Sequence, residues 1–403
     1  YGDHRDLHLS IRRQRQMCIR DRWNNMHFKQ KPRMKQSYLA LGLMSGTSCD
    51  GIDISLIRTD GDKKVQAVAF ETFPYRSGFQ SLLRACASAK RRQDPHFIDY
   101  CEKRLTFLHI EAVKKFLQSR KVKSSNIDLV GFHGHTIAHG VCGKHFSHQI
   151  GNGSLLAKKL GIDVINDFRS NDIAKGGQGA PLAPIFHTAI IGKRSDPSVF
   201  VNVGGISNVT WIDSNRECFL GFDAGPGNTL LDRWIQKFTG ELFDRNGGYA
   251  AMGRVQQSHL RQFLSKRHFR RKPPKSFDVF DFNFDELLRL SIEDGAATLT
   301  AITAHAIFMA QDYFPKKARH WLICGGGRKN KSLLSMLRGL VEADSKANMS
   351  VSTVEKIGWD GDAIESQAFA YLAVRSAKGL PLTFPLTTGV SKPTKGGVFH
   401  SKD

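Results

Sequence analysis

The residues that could carry chemistry in this chain cluster in turns at the ends of apolar strands. The clearest turn lies within residues 45–53, between apolar segments at 38–44 and 52–57. It is built of Gly, Ser, Thr, Cys and Asp, and such turns leave backbone N–H groups able to face an anion. Its aspartates, Asp50 and Asp53, could hold a hydrated divalent cation beside a phosphate. The turn predicts a nucleotide-phosphate site, although one Ser/Gly turn is more often only a turn.

Two further glycine-rich turns repeat this pattern in the second half of the chain. The run 204–208 separates strand signals at 199–203 and 209–212, and the run 325–327 follows an apolar strand signal at 321–324. Glycines at such positions allow close approach of the backbone to a ligand, and a following helix N-terminus adds positive potential. We expect the first two turns to grip a triphosphate and the third to hold the nucleoside. The expected nucleotide contacts are Gly46, Thr47, Ser48, Cys49, Asp50, Gly51, Ile52, Asp53, Gly204, Gly205, Asn208, Gly325, Gly326, Gly327 and Asn330.

A candidate general base stands in the run from Gly221 to Asn228. A strand is predicted near 218–222, so Asp223 would lie at its end, before a sharp turn made by Gly225-Pro226-Gly227. A carboxylate placed there would project into a cleft, where it could accept a proton. The alternative is that Asp223 caps the helix predicted from Asn228 or closes the turn, and the residues alone favour neither.

A second carboxylate, Glu365, opens a helix predicted over 362–375. Apolar residues follow it at positions 368, 369 and 372, which places Glu365 on the apolar face. A carboxylate there is either paired and structural or directed into a site, and both interpretations stay open.

A polar, glycine-rich stretch follows a predicted strand at 162–165. It contains Asp167-Phe168-Arg169, Asp172 and the run 176–181. Arginine and glutamine in such a loop suit the hydroxyls and carboxylate of a polar ligand. The histidines between 133 and 148 have spacings that fit no compact set of metal ligands.

The elements that must position these groups repeat in two halves. Each half opens with a strand, a Gly/Ser turn and a second strand, which predicts a duplicated α/β architecture with mixed sheets and a ligand cleft between the halves. Further strands are predicted at 65–73 and 127–132, and helices at about 94–120, 154–160, 294–314 and 332–340.

Composition limits the class of protein. The hydrophobic share of 40% is typical of a soluble globular chain, and no apolar run approaches the ~20 residues of a membrane span. Seven scattered cysteines suit a reducing compartment, so we expect a cytoplasmic protein. The net charge is +22, but residues 1–35 supply +7 of it from ten Lys/Arg and three Asp/Glu. The other basic residues are mostly dispersed, so we expect no nucleic-acid partner and no membrane partner.

The chain resembles the anhydro-N-acetylmuramic acid kinase family, which belongs to the superfamily of acetate and sugar kinases, heat-shock chaperone ATPases and actin. The resemblance runs in order from about residue 38 to the C-terminus. The motifs that carry it are Gly42-Leu43-Met44-Ser45-Gly46-Thr47-Ser48, Asp50-Gly51-Ile52-Asp53, His133-Gly134-x-Thr136, Gln149-Ile150-Gly151, Asp167-Phe168-Arg169, Gly176-Gly177-Gln178-Gly179-Ala180-Pro181-Leu182, Asn202-x-Gly204-Gly205-Ile206-Ser207-Asn208, Gly221-Phe222-Asp223-x-Gly225-Pro226-Gly227-Asn228, and Cys324-Gly325-Gly326-Gly327 with Asn330.

The resemblance implies a fold, an activity and roles for residues. The fold would be two duplicated ribonuclease H-like domains with mixed sheets and an interdomain cleft. The activity would be ATP-dependent phosphorylation coupled to hydrolytic opening of the 1,6-anhydro ring of anhydro-N-acetylmuramic acid, giving N-acetylmuramic acid 6-phosphate in cell-wall recycling. Asp223 would be the base that activates water, and Glu365 would assist proton transfer. ATP and Mg²⁺ would be required, with the metal held through water by Asp50 and Asp53. The sugar would contact Thr136, Arg169, Asn171 and Gln178.

Two positions depart from the family pattern. The family often has Gln where His135 stands, and often has Lys-Ser-Thr-Gly-Arg-Glu where this chain has Lys275-Ser276-Phe277-Asp278-Val279-Phe280. We expect neither departure to touch the phosphate loops or Asp223.

The predicted organisation is a basic leader at 1–35, a first domain at 36–170 and a second domain at 171–375. We expect the segment 376–403 to pack back on the first domain, and a homodimer is the candidate assembly. The leader has no family counterpart, which suggests a true start at Met26 or Met34. Two other functions stay open: a kinase for another sugar, and a non-catalytic, nucleotide-switched module of the same superfamily.

Overall fold

The computed structural model describes residues 35–88, 94–140, 145–343 and 349–403. The predicted leader, apart from Lys35, and the basic cluster at 90–92 lie outside these residues. The described fold belongs to the compact unit Gln36–Asp403.

The first sheet begins with a three-stranded antiparallel meander. Its strands are β1 (Tyr38–Ser45), β2 (Gly51–Thr59) and β3 (Val65–Pro74), and they confirm the predicted strand–turn–strand unit. Strand β4 (Leu129–Gly140) lies parallel to β1, and β6 (Val164–Asn166) lies parallel to β4. Strand β5 (Phe146–Ile150) forms a hairpin with β4. The sequence missed this hairpin, because it ended the strand at residue 132.

The second sheet repeats the first. Its strands are β7 (Ser198–Val203), β8 (Ile206–Ile212), β9 (Phe219–Pro226), β10 (His320–Cys324) and β11 (Ser350–Thr353). The order β9-β8-β7-β10-β11 matches β3-β2-β1-β4-β6 of the first sheet. The first two pairings are antiparallel and the last two parallel in each sheet. This shared order confirms the predicted duplication of a ribonuclease H-like unit with a mixed sheet.

Helices cover the sheets and fill the connections. They are α1 (Ser77–Cys86), α2 (Pro95–Ser119), α3 (Gly153–Leu160), α4 (Ser170–Ala174), α5 (Pro184–Ile190), α6 (Thr229–Thr239), α7 (Gly248–Met252), α8 (Gln257–Leu264), α9 (Arg267–Arg270), α10 (Ile292–Met309), α11 (Lys331–Ala343), α12 (Ile364–Ala377) and α13 (Pro385–Thr388). Helix α2 matches its prediction because Asp94 accepts the Phe97 N–H at 3.1 Å and Pro95 opens the first turn. None of the helices in the described ranges combines the length and apolar character needed to cross a bilayer.

Helix α12 lies in the core that the two sheets share. It packs on strands of the first sheet, and its buried residues share one hydrophobic cluster with Tyr38 and Leu129 of that sheet and with Phe200 and Leu322 of the second. A Cβ at Gly42 of β1 would overlap the Ser366 carbonyl, so glycine there permits the close approach of the helix. This packing fixes the first turn of α12, which carries Glu365, between the two sheets.

The C-terminal segment returns to the first sheet. Strand β12 (Val398–His400) pairs antiparallel with β6 and forms the edge of that sheet. The exact limits of the two predicted domains stay a prediction.

Candidate active site

The first predicted phosphate loop is the turn between β1 and β2. The Cys49 N–H donates to the Gly46 carbonyl at 3.0 Å, and Cys49 has a left-handed φ of 57°. Thr47, Ser48 and Asp50 are exposed, and the Ser48 hydroxyl donates to Asp50 at 2.8 Å. The loop therefore presents a small polar rim, as the sequence predicted.

Three of the predicted nucleotide contacts in this loop can act only through the backbone. The side chains of Cys49 and Ile52 are buried in the hydrophobic core between the first sheet and its covering helices. Gly51 already belongs to β2, and a Cβ there would lie 2.6 Å from the Phe73 carbonyl oxygen of β3. Gly51 is therefore required by strand packing.

The second loop faces the first. A Cβ at Gly205 would lie 3.4 Å from the Thr47 hydroxyl, so the β1–β2 and β7–β8 turns approach each other. Asn208 lies within β8, where it pairs with Asp223 of β9 across a bulge. The two predicted phosphate loops are thus brought to one place, next to the candidate base.

The third glycine turn follows β10 and lies against the second. Gly325 has φ 74°, and residues Gly326–Lys329 form a short 3-10 helix. A Cβ at Gly326 would lie 3.6 Å from the Asn228 amide nitrogen, which itself donates to the Val203 carbonyl at 3.0 Å. Asn330 caps α11 by accepting the Leu333 N–H at 3.0 Å. Its contact with a nucleotide stays a prediction.

The candidate base Asp223 is held by a segment that the sequence did not associate with it. Strand β9 continues to Pro226, so the prediction that Asp223 ends a strand is wrong. The Asp223 N–H donates to the Lys275 carbonyl at 2.9 Å, and its carboxylate accepts the Phe277 N–H at 2.8 Å. These bonds run to residues 275–277 rather than to the helix after Asn228, so the capping interpretation is wrong as well.

The environment of Asp223 gives it the pKa of a base that works near neutral pH. Burial raises the pKa of its carboxyl to about 7, against the opposing effects of the Phe277 N–H, Arg169 and Lys275. Burial also lowers the pKa of Lys275 to about 8, and its ammonium lies 4.9 Å from the ring centre of Tyr313. A base with such a pKa combines a useful ionised fraction with a strong tendency to accept a proton.

Glu365 opens α12 beside the second loop. Its carboxylate accepts the Asn202 amide N–H at 3.0 Å, and Asn202 lies near the end of β7. Burial raises its pKa, while Asn202 and Arg169 favour the charged form. The structure shows that Glu365 is paired with Asn202, and its direct part in a site stays a prediction.

Arg169 lies within electrostatic range of both carboxylates. Burial lowers its pKa to about 10, and the charges of Glu365, Asp223 and Asp172 act on it in the opposite direction. It donates to the Gly179 carbonyl at 2.6 Å and lies 3.0 Å from the His133 Nε2. Burial and the Arg169 charge lower the pKa of His133, so this ring is neutral and accepts from the guanidinium.

Two other predicted sugar contacts lie on neighbouring elements. The Gln178 amide nitrogen donates to the Pro274 carbonyl at 2.8 Å. Its buried Oε1 accepts no hydrogen bond from the described residues. That unpaired oxygen is available to a ligand donor. Thr136 of β4 accepts from Gln149 at 3.1 Å and keeps its own hydroxyl hydrogen available.

The last predicted sugar contact is turned elsewhere. The Asn171 side chain donates to the Lys395 carbonyl at 2.6 Å, so it ties α4 to the C-terminal segment. Its neighbour Asp172 has both oxygens occupied, by the Gly179 N–H at 2.7 Å and the Thr388 hydroxyl at 2.6 Å. Asp172 is therefore a structural carboxylate.

The acidic residues of the first loop sit in a strongly negative environment. Burial raises the pKa of Asp53 to about 7, and Asp50, Glu365 and Asp362 raise it further, against the Thr72 hydroxyl, which donates at 2.6 Å. Among the described residues no group of three or more His, Cys, Asp or Glu side chains forms a direct metal site. Carboxylate oxygens that act through water suit Mg²⁺, which keeps several waters when it binds.

Both departures from the family pattern touch the site, contrary to expectation. His135 is buried behind the first loop, with its Nδ1 3.1 Å from the Ser45 hydroxyl and its Nε2 3.8 Å from the Cys49 sulfur. The segment from Lys275 binds Asp223 through its backbone, and Val279 lies beside Gly205. The sequence could have indicated that His135 lies in a strand, because Thr136 and Ile137 extend the apolar segment beyond residue 132.

Comparison with known proteins identifies the family of this chain. The family model of anhydro-N-acetylmuramic acid kinase matches residues 38–402. The chain belongs to the anhydro-N-acetylmuramic acid kinase family. Curated anhydro-N-acetylmuramic acid kinases include that of Rhizorhabdus wittichii, 41% identical over 90% of this chain and 98% of that protein. Those of Agrobacterium fabrum and Paramagnetospirillum magneticum are both 43% identical, over 89% and 90% of this chain and 97% and 99% of theirs. As a member of this kinase family, the chain is an enzyme.

Proposed function

We propose that this enzyme uses ATP to phosphorylate anhydro-N-acetylmuramic acid while water opens its 1,6-anhydro ring, which yields N-acetylmuramic acid 6-phosphate for cell-wall recycling. One observation carries the proposal. A buried carboxylate with a pKa of about 7 lies in the strand that pairs with the second phosphate loop, and Arg169 links it electrostatically to Glu365.

The chemistry follows from this arrangement. Asp223 accepts a proton from water as the water oxygen bonds to the anomeric carbon of the sugar. The bond from that carbon to the bridging oxygen breaks. That oxygen takes the γ-phosphoryl group of ATP, whose bond to ADP breaks so that ADP leaves. Charge that develops on the bridging oxygen passes to phosphorus, so one general base serves both events. Glu365, positioned by Asn202, assists the proton transfer.

Different residues of the site bind the two substrates. ATP phosphates lie between the turns that meet at Thr47 and Gly205, and the nucleoside lies near Gly326. The sugar lies near Arg169, Gln178 and Thr136, where a guanidinium, an unpaired amide oxygen and a hydroxyl are available. Asn171 contributes by holding α4 rather than by contact.

Asp50 and Asp53 fit a hydrated Mg²⁺ ion. Burial, and after it the charges of Asp50, Glu365 and Asp362, raise the pKa of Asp53, and a cation beside it would favour the ionised form. The ion, when bound, neutralises charge on the β- and γ-phosphates. We place the reaction in the cytoplasm and propose a homodimer as the assembly, with no nucleic-acid or membrane partner.

Family membership argues against the two other functions. A switched module needs the loops but has no use for a buried base and a second carboxylate at the same place. A kinase for another sugar would not need Arg169 near two carboxylates, with Gln178 beside it.

The test is a coupled ATPase assay with and without the anhydro sugar, together with mass spectrometry of the product. ADP release that depends on the anhydro sugar, with formation of the 6-phosphate, is expected. Release that is independent of it would overturn the proposal.

A further inference from the structure

A line of polar groups lies behind the first loop, which joins β1 to β2, and its four side chains are buried. The Tyr75 hydroxyl donates to the Ser45 hydroxyl at 2.9 Å, and the Ser45 oxygen lies 3.1 Å from the Nδ1 of His135. On the other side of the ring, the His135 Nε2 lies 3.8 Å from the Cys49 sulfur. The Cys49 thiol in turn donates to the Thr47 carbonyl at 3.5 Å. These contacts connect the residue that follows β3 to the backbone of the loop.

The chemistry of these groups gives the hydrogen bonds one direction. In the described part of the chain, the Ser45 hydroxyl has two partners, and it accepts from Tyr75, so its own hydrogen goes to the His135 Nδ1. Burial lowers the pKa of His135 to about 4, against the opposing effect of Ser45, so the ring is neutral near pH 7. The single ring hydrogen then lies on Nε2 and faces the Cys49 sulfur, which is a weak acceptor.

The last bond of the line orients a backbone donor of the loop. The Thr47 carbonyl and the Ser48 N–H belong to one planar trans peptide, so they point in opposite directions. Because the carbonyl is held toward the sulfur of the buried Cys49, the Ser48 N–H is directed away from that sulfur, and Ser48 itself is exposed. The next N–H, that of Cys49, is already used by the Gly46 carbonyl. An exposed N–H with a fixed direction suits an anionic ligand.

We propose that His135 is a positioning residue for the first loop: it bridges Ser45 and Cys49 and so holds the Ser48 N–H toward the ATP phosphates. The proposal rests on the function proposed above, which places those phosphates at this loop. What the position requires is a buried side chain that accepts a hydrogen bond at one end and donates one at the other.

Variants of His135 separate this role from simple filling of the core. Calorimetry with ATP and Mg²⁺ should show about fivefold weaker binding for His135→Leu, which fills a similar space but makes neither hydrogen bond. His135→Gln should bind ATP within about twofold of the unaltered enzyme, because an amide can accept from Ser45 and donate to Cys49. The KM for the anhydro sugar should stay unchanged in both. Equal ATP affinities in the two variants, normal or weakened, would overturn the proposal.

The other end of the line provides variants that do not depend on the folding of His135→Leu. Cys49→Ala removes the link between the ring and the Thr47 carbonyl, so ATP binding should weaken about fivefold. Cys49→Ser restores a group that accepts and donates, so it should keep affinity near normal. Normal affinity in Cys49→Ala, or no recovery in Cys49→Ser, would count against the proposal.

The matched control is another buried histidine that pairs with a hydroxyl. His187 of α5 has its Nδ1 2.9 Å from the Thr210 hydroxyl of the second sheet. His187→Leu should lower the melting temperature and leave ATP affinity in place. A loss of ATP affinity as large as that of His135→Leu would assign the effect to general destabilisation and overturn the proposal.

A measurement on the unaltered protein separates this inference from the proposed function. In ¹⁵N-histidine NMR spectra recorded without ligands, His135 should be the Nε2–H tautomer, and the spectrum of His135→Gln identifies its signals. Ser45→Ala removes the partner of Nδ1, so both tautomers should then be populated. If the unaltered protein makes no product from the anhydro sugar, the proposed function fails, while the spectra and the ATP calorimetry still decide the role of His135. An Nδ1–H tautomer in the unaltered protein would overturn the inference whatever the activity.

Discussion

At the scale of single residues, the site depends on carboxylates whose neighbours set their proton affinity. Asp223 and Asp172 are both buried, yet only Asp223 has a carboxylate that is not fully occupied by structural hydrogen bonds. We therefore propose different roles for the two residues, which substitutions can separate.

Asp223→Asn keeps the size of the side chain but removes its ability to accept a proton. General-base assistance is worth about 10²–10⁴-fold, so kcat should fall by at least the lower figure, while ATP affinity by calorimetry stays unchanged. Ring opening and phosphorylation should fail together because one event drives the other. Asp172→Asn is the matched control and should lower thermal stability more than it lowers kcat in the remaining folded enzyme. Near-normal phosphorylation by Asp223→Asn would move the role to Glu365.

The pH dependence of the enzyme follows from the same carboxylate. The base works only when ionised, and burial places its pKa at about 7. Below that pH, kcat should fall about tenfold for each pH unit, because each unit removes nine-tenths of the ionised form. A profile that stays flat down to pH 5, with substrates saturating, would be incompatible with Asp223 as the titrating base.

At the scale of elements, two glycines of the first loop differ in the space available for a side chain. The position of Gly46 has room, since the nearest heavy atom to an added Cβ is the Ser48 hydroxyl at 3.4 Å. Gly51 has none, because its Cβ would lie 2.6 Å from the Phe73 carbonyl oxygen. Gly51→Val is therefore a poor probe of ATP binding, because the packing of β2 on β3 leaves no space for the added side chain.

Gly46→Val is the better probe of the phosphate loop. The added side chain would occupy the space of the phosphates without entering the core, so ATP affinity should weaken about tenfold or more, ~1.4 kcal/mol. Calorimetry with ATP and Mg²⁺ measures it, and the melting temperature should hardly change. The control is Gly78→Val in the first turn of α1, where nothing lies within 4 Å of an added Cβ. Unchanged ATP affinity in Gly46→Val would show that this loop does not hold the nucleotide.

At the scale of the whole molecule, the site draws on both halves. Thr47 of the first half faces Gly205 of the second, and His139 meets Ser276. A reaction that must admit one water and suppress ATP hydrolysis favours closure of the halves around both substrates. Small-angle scattering should therefore show a smaller radius of gyration with a non-hydrolysable ATP analogue and the anhydro sugar together. An unchanged radius would indicate a preformed, rigid cleft.

The basic leader provides a second prediction at this scale. The family match begins at residue 38, so a chain that starts at Met34 should retain full activity and thermal stability. Side-by-side assays and melting curves of the two chains decide it. A loss of either property in the shorter chain would make the leader a working part of the protein.

The sequence by itself determined most of the strands and the glycine-rich turns that follow them. Apolar segments placed β1, β2, β3 and β7 within a residue or two, and the helix predicted at about 94–120 matches α2. These features are local: side-chain period, caps and turn residues act over a few positions. The same locality explains why Arg169 and Gln178 could be chosen as ligand residues from one short loop.

Only the tertiary structure decided what surrounds each carboxylate. Asp223 is bonded by residues 275–277, more than fifty positions away, through backbone groups that leave no mark on side-chain type. Glu365 is oriented by Asn202, and Asn171 is turned toward Lys395 by a hydrogen bond that no local pattern contains. A pKa depends on burial and on charges brought close in space, and chain order does not encode either of them directly. The surroundings of these residues are therefore set by the packing of the two sheets, which share a core with α12.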